Sequence, residues 1–127
     1  MRERKEQQDD LLALLSYVVS TNMTLIEIGS YAGESAEIFA KSGKFLTIVC
    51  IDPWLSDPKG DGKNSYKNMD VIEHKFDLVL ARNKIIKKHK GTIDTFVKSD
   101  LFKELDGKID MVYIDGLHTY EGCKHDI

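Results

Sequence analysis

Short runs of consecutive, mostly apolar residues alternate with helical segments along this chain, and this alternation limits the possible fold more than any other feature. The runs are MTLIEIG (23–29), FLTIVCID (45–52) and KIDMVYID (108–115). TIDTFVKS (92–99) is a candidate for a further strand between the last two. Strands that are apolar on both faces are typical of a parallel sheet enclosed between helices. We therefore predict an α/β fold with a doubly wound, Rossmann-like parallel sheet.

The segments between these runs have helical periodicity or helix-capping residues. They are residues 1–22, 33–43, 71–89 and 99–105. Asp70 is a suitable N-cap for the third of these helices. The lysine-rich stretch KIIKKHK (84–90) is interpreted as the solvated end of the same helix.

Composition excludes several classes of function. The chain has 127 residues, enough for one domain with one core, and a net charge of -3, which gives no basic surface for nucleic acid. No apolar run approaches the roughly 20 residues of a membrane span, and the charged N-terminus does not resemble a signal peptide. Cys50 and Cys123 do not have the spacing of a disulfide framework, so we expect a reducing, cytoplasmic location.

A glycine-containing turn, EIGSYAG (27–33), follows the first strand. Gly29 and Gly33 permit a sharp turn and close approach of a ligand at the carboxyl end of the strand, although they could serve the turn alone. Tyr31 stands where a dinucleotide-binding loop needs its middle glycine. Glu27 would repel a phosphate and attract a cation. The pattern therefore indicates a positively charged ligand without a diphosphate.

Acidic and hydroxyl residues follow the next two predicted strands. Asp52, 23 residues after Gly29, is placed to accept hydrogen bonds from ribose hydroxyls, or it is simply an aspartate that begins a loop. Ser99 and Asp100 could reach the edge of a base, and they are equally good N-cap residues for the helix after them.

A cluster of reactive side chains, YIDGLHTYEG (113–122), follows the last strand. His118 is a candidate general base, because the unperturbed pKa of histidine lies near physiological pH. Asp115 could orient that base or hold a divalent metal ion. The alternative is structural, with Asp115 capping the next helix and His118 packing against it.

Three segments, IEIGSYAGESA, CIDPW and YIDGLHTYEG, together resemble class I S-adenosylmethionine-dependent methyltransferases. The similarity is strongest to the branch of small-molecule and sugar O-methyltransferases that contains macrocin O-methyltransferase and proteins grouped with cephalosporin hydroxylase. It extends from about Leu25 to the end of the chain. The resemblance implies S-adenosylmethionine as cofactor and a small molecule or sugar as methyl acceptor.

The resemblance also implies a role for individual residues. Those expected around the methionyl part are Glu27, Gly29, Ser30 and Gly33. Those expected around the nucleoside are Asp52 at the ribose, Pro53 and Trp54 beside the adenine, and Ser99 and Asp100 at the adenine edge. The ring of Tyr31 or Trp54 could face the cation or the base. His118, or Mg²⁺ held by Asp115, would help to remove the acceptor's proton.

Such a methyltransferase has seven strands, and four are predicted before Ile127. The resemblance therefore implies one domain, with an N-terminal helix in 1–22 and the cofactor-binding half in 23–127. We expect this half to be truncated after the fourth strand and not to catalyse methyl transfer alone. The exposed edge of that strand, 109–115, predicts a homodimer. Two alternatives remain: a folded, nonenzymatic dimerisation module without cofactor affinity, and half of a nicotinamide-dependent oxidoreductase.

Overall fold

The structure, a computed structural model, describes residues 4–56 and 68–114. Within these ranges the chain forms five helices and four strands. In chain order the elements are α1 (Arg4–Ser16), β1 (Met23–Ile28), α2 (Glu34–Lys41), β2 (Phe45–Asp52), α3 (Met69–Arg82), β3 (Ile86–Lys90), α4 (Ile93–Phe96), α5 (Asp100–Leu105) and β4 (Met111–Ile114).

The four strands form one sheet in the order β3-β2-β1-β4, and every neighbouring pair is parallel. β1 is therefore central: Leu25 pairs with Ile48 of β2 on one side and with Met111 of β4 on the other. β1 and β2 are buried along nearly their whole length, as their continuous apolar character predicts. The predicted α/β, Rossmann-like parallel sheet is confirmed.

Side chains of the central strands enter two separate cores, one on each face of the sheet. Leu25 and Ile48 belong to the core that contains Phe39 of α2 and Phe76 of α3. The neighbouring residues along the strands point the other way. This second core contains Ile26, Ile28, Val49, Ile51 and Phe96, with partly buried residues of α5 packed against it. The sheet is thus covered by helices on both faces, as in doubly wound folds.

The third strand of the sequence is not the one predicted. TIDTFVKS (92–99) contains helix α4, which Thr92 caps by accepting a hydrogen bond from the Thr95 amide. The strand lies instead at Ile86–Lys90, in the lysine-rich stretch that was interpreted as the end of a helix. β3 pairs only with β2 among the described strands, and two of its lysines, Lys88 and Lys90, form ion pairs with acidic residues of α3. An edge strand with such partners does not need the apolar pattern of a buried strand.

The boundaries of the other helices also differ from expectation. Helix α3 ends at Arg82 and is capped by Asn83, so it is shorter than the predicted 71–89. Its N-cap is Asn68 rather than Asp70, which lies in the first turn. No helix in the described part of the chain is both long enough and apolar enough to cross a membrane.

Candidate functional site

The carboxyl ends of β1 and β2 lie side by side, because the two strands pair in parallel up to Ile28 and Ile51. The Gly29 amide extends this pairing by donating to the Ile51 carbonyl at 2.8 Å. The loops that follow, residues 29–33 and 52–56, therefore begin at one edge of the sheet. In doubly wound folds, ligands bind beyond this edge.

Glu27 is fully buried beneath the first of these loops. Its carboxylate accepts a hydrogen bond from the hydroxyl of Ser35 in the first turn of α2. Cys50 lies opposite Glu27, on β2. Burial, and to a smaller extent the nearby Glu27 carboxylate, raises the pKa of the Cys50 thiol well above its usual range. Cys50 therefore remains a protonated core residue and not a nucleophile.

The loop after β1 contains a buried hydroxyl, that of Ser30. Ser30 is almost completely buried, and its Oγ makes no hydrogen bond of acceptable geometry within the described residues, although the Cys50 thiol lies nearby. Buried polar groups are nearly always hydrogen-bonded in native proteins, and the exceptions are often found at functional sites. The Ser30 hydroxyl is therefore a candidate ligand contact.

Asp52 connects the two loops through its carboxylate. Its Oδ2 accepts a hydrogen bond from the Tyr31 amide at 3.0 Å, and its Oδ1 accepts one from the Trp54 amide at 2.7 Å. A carboxylate has about four acceptor positions, and the expected contact of Asp52 with ribose hydroxyls stays a prediction. Asp52 thus has a structural role that the sequence analysis did not anticipate.

The two aromatic residues of the loops have opposite environments. The Trp54 side chain is 1% exposed and packs against Phe76, with 4.7 Å between ring centroids. Tyr31 is 47% exposed. Of the two rings that could face a ligand, only that of Tyr31 therefore offers surface in this structure. Pro53, between Asp52 and Trp54, is also exposed.

Ser99 and Asp100 do not follow a strand, because the third strand ends at Lys90. The Ser99 hydroxyl accepts a hydrogen bond from the Phe102 amide and caps α5, which is the structural alternative considered for it. The exposed Asp100 lies in the first turn of α5. Neither residue lies at the end of a strand, where the sequence analysis placed them.

Gly91 and Thr92 occupy the strand end that was assigned to Ser99 and Asp100. The Gly91 amide donates to the Asp52 carbonyl at 3.0 Å, so the segment after β3 lies directly beside the end of β2. A Cβ at Gly91 would approach the Thr95 hydroxyl to 2.4 Å. These residues were missed because β3 was misassigned, and the signal available in the sequence was the Gly-Thr pair that directly precedes a short helix.

Asp115 and His118 lie outside the described residues, so their expected roles as metal ligand and general base remain predictions. Within residues 4–56 and 68–114, no group of three or more His, Cys, Asp and Glu side chains could hold a metal ion. The expectation of Mg²⁺ therefore depends on Asp115, which directly follows β4.

Comparison with known proteins agrees with this geometry. A search of curated proteins finds no match to the chain. A family model described as a methyltransferase domain, in contrast, matches residues 26–127, which begin within β1 and include both loops and every later element. This match extends over well more than half of the sequence and begins at the strand that carries the candidate site. The chain therefore belongs to the methyltransferase domain family.

Proposed function

We propose that this domain binds S-adenosylmethionine at the carboxyl ends of β1 and β2 and transfers its methyl group to an oxygen atom of a small molecule or sugar. The observation that supports this most directly is the buried hydroxyl of Ser30 in the loop after β1, which makes no hydrogen bond of acceptable geometry in the described part of the chain. A methyltransferase domain needs a methyl donor, and this loop is where such a fold presents its ligand.

The residues present fit this cofactor by their chemistry. The Ser30 hydroxyl can hydrogen-bond the amino acid part of the ligand, and the Asp52 carboxylate is the type of group that accepts hydrogen bonds from a vicinal diol. Tyr31 offers an aromatic ring to a cation, and it stands where a phosphate-binding loop would need glycine. These features favour a sulfonium nucleoside over a dinucleotide.

When bound, the cofactor supplies an activated methyl group together with its leaving group. The protein must align the acceptor oxygen with the methyl carbon at about 3 to 3.5 Å and remove the hydroxyl proton. We assign proton removal to His118, oriented by Asp115, with Mg²⁺ at Asp115 as the alternative. We also place the protein in the cytoplasm, because a free, buried thiol at Cys50 suits a reducing compartment.

Calorimetric titration and thermal unfolding with S-adenosylhomocysteine, S-adenosylmethionine and NAD test the proposal. A ligand at a hundredfold excess over its dissociation constant stabilises a one-site protein by about 2.7 kcal/mol, which either method detects. We expect both sulfur-containing ligands to bind and NAD not to bind. Stabilisation by NAD alone would favour an oxidoreductase, and stabilisation by none of the three would favour a nonenzymatic domain.

Ser30→Ala distinguishes a ligand contact from a structural role. Since the hydroxyl makes no hydrogen bond of acceptable geometry within the described residues, its removal should not lower the free energy of unfolding. It should weaken binding of S-adenosylhomocysteine about 3- to 10-fold, the value of one hydrogen bond.

Ser35→Ala is the matched control, because that hydroxyl is bonded to Glu27 and its loss should lower stability directly. Unchanged affinity of Ser30→Ala for S-adenosylhomocysteine would show that Ser30 does not contact the ligand.

A further inference from the structure

Two bulky residues at the candidate site have a left-handed backbone conformation that residues other than glycine rarely adopt. The φ angle is 53° at Tyr31 and 43° at Trp54. A left-handed conformation at such a residue costs on the order of 1 to 3 kcal/mol and persists only where surrounding contacts enforce it. Both residues lie in the loops at the carboxyl ends of β1 and β2.

The contacts that enforce these conformations connect the two residues to each other. The Tyr31 amide donates to Asp52, and the Tyr31 carbonyl accepts a hydrogen bond from the indole Nε1 of Trp54 at 2.8 Å. Residues of segment 52–54 therefore form hydrogen bonds with both the amide and the carbonyl of Tyr31. The Trp54 amide is bonded to the same Asp52 carboxylate, so the two strained residues form one hydrogen-bonded unit.

Trp54 is itself fixed by the core and the sheet. Its ring packs on Phe76 of α3, and Nζ of Lys88 on β3 lies 4.9 Å from the ring centroid. With the side chain almost fully buried, the indole ring has no surface for a ligand. Any effect of the indole N–H group on ligand binding therefore passes through Tyr31, whose carbonyl accepts its hydrogen bond.

We propose that Trp54 is a positioning residue: its buried indole N–H group, together with the Asp52 carboxylate, fixes the backbone of Tyr31 and thereby sets the direction of the exposed Tyr31 ring at the mouth of the site. The effect on cofactor affinity rests on the proposed function. The hydrogen-bonded unit itself is a property of the free chain.

Trp54→Phe tests the proposal because it keeps a buried aromatic ring and removes the N–H donor. Lys88→Met is the matched control, since it removes the charge over the ring, together with the ion pairs to Glu73 and Asp77, and leaves the N–H group in place. Amide hydrogen exchange at Tyr31, measured by NMR on the free protein, is the readout. We expect exchange to become about tenfold faster in Trp54→Phe, the factor for a hydrogen bond of about 1.4 kcal/mol, and to stay within about twofold in Lys88→Met.

A folded Trp54→Phe protein with wild-type exchange at Tyr31 would overturn the proposal. If that variant does not fold, Asp52→Asn is the second test. The side-chain NH₂ group of asparagine cannot accept a hydrogen bond, so one of the two bonds from the Tyr31 and Trp54 amides is lost. Faster exchange at Tyr31 in Asp52→Asn then supports the unit, and unchanged exchange overturns it.

Tyr31→Gly tests whether strain is the reason for the contact. Glycine adopts a positive φ without cost, so Trp54→Phe should accelerate exchange at position 31 less in this background than in the wild type. An equal acceleration in both backgrounds would contradict the strain argument.

Affinity for S-adenosylhomocysteine completes the test. We expect Trp54→Phe to weaken binding several-fold and Lys88→Met to leave it unchanged. If the wild-type protein binds no such ligand, the proposed function fails, whereas the exchange measurement still decides the role of Trp54. If the ligand binds and Trp54→Phe changes exchange without changing affinity, the positioning role is refuted and a purely structural contact remains.

Discussion

At the scale of single residues, Gly33 lies at a close contact between the loop after β1 and helix α3. Its φ angle is 87°, and a Cβ built there would lie 3.0 Å from Cδ1 of Phe76 and 3.2 Å from Cβ of Val79. Both conformation and space therefore require glycine. Because Phe76 also packs on Trp54, this contact helps to hold both loops of the candidate site against the same helix.

Gly33→Ala should lower the free energy of unfolding by about 2 to 4 kcal/mol, because it combines backbone strain with overpacking of a core. Gly43→Ala is the control, since Gly43 has a φ of 76° but no atom within 4 Å of the added Cβ. It should cost only about 1 kcal/mol. Denaturant unfolding of both variants measures the difference, and equal losses would show that packing at Gly33 is unimportant.

At the scale of elements, β3 is attached to α3 by a network of ion pairs. Lys88 bonds to Glu73 and Asp77, and Lys90 bonds to Glu73 at 2.7 Å. Hydrogen bonds from Lys88 and Lys90 lower the pKa of Glu73. Burial opposes the charge of Lys88, but its two carboxylate partners outweigh burial and raise its pKa. The network thus stabilises the charged forms on both elements.

Glu73→Gln should lower the free energy of unfolding by an amount that depends on pH, because it removes the carboxylate at the centre of this network. A carboxylate whose pKa is lowered by folding contributes stability above its unfolded pKa near 4.5, and that contribution is lost as the pH falls through the folded pKa. We expect the variant to be less stable than the wild type by about 1 kcal/mol at pH 7 and nearly equal to it at pH 3. Urea unfolding across this range is the measurement.

Glu104→Gln, at an exposed position on α5, should change stability by less than about 0.5 kcal/mol at either pH. A difference between Glu73→Gln and the wild type that persists at pH 3 would mean that the side chain acts through packing and not through charge.

The same network explains why β3 could not be predicted from the sequence. IKKHK has three lysines in five residues, and only its first residue is buried. Its acidic partner Glu73 lies on an element elsewhere in the chain, so only the tertiary structure reveals that these charges are compatible with a strand. β1 and β2 were predictable because their apolar residues must be buried whatever their neighbours are, and β4 was predictable from its apolar run MVYI although two of its residues are exposed.

The candidate site was predictable to a similar extent. The position of Asp52 and of both glycine residues follows from where apolar runs end, and the structure has them there. The inward orientation of Trp54 was not predictable, because it depends on a positive φ and on a hydrogen bond across two loops. Such contacts depend on how β1 and β2 pair, which composition and spacing do not specify.

At the scale of the whole molecule, β4 leaves apolar surface at one side of the sheet. No described strand pairs with its outer edge. Val112 is 53% exposed and Ile114 is 40% exposed, and both lie on the same face of the strand. An exposed apolar edge is prone to pair with another chain.

We propose that the chain forms a homodimer through this edge. Sedimentation equilibrium should give a dimer for the wild type, and the double substitution Val112→Lys with Ile114→Lys should give a monomer. Val71→Lys is the matched control, since Val71 is equally exposed, at 53%, on helix α3, and it should not change the mass. A wild-type monomer at high concentration would contradict the proposal.

The central position of β1 has a consequence for the order in which the sheet can assemble. The chain between Leu25 and its partner Ile48 is short. The chain between Leu25 and its other partner, Met111, is about four times as long, which is two doublings of loop length. Closing the longer loop costs only about 1.2 kcal/mol more in chain entropy. During synthesis, however, the early pair emerges well before β4 exists. The strands and turns that bring Tyr31, Asp52 and Trp54 together can thus form before β4 pairs with the other edge of β1.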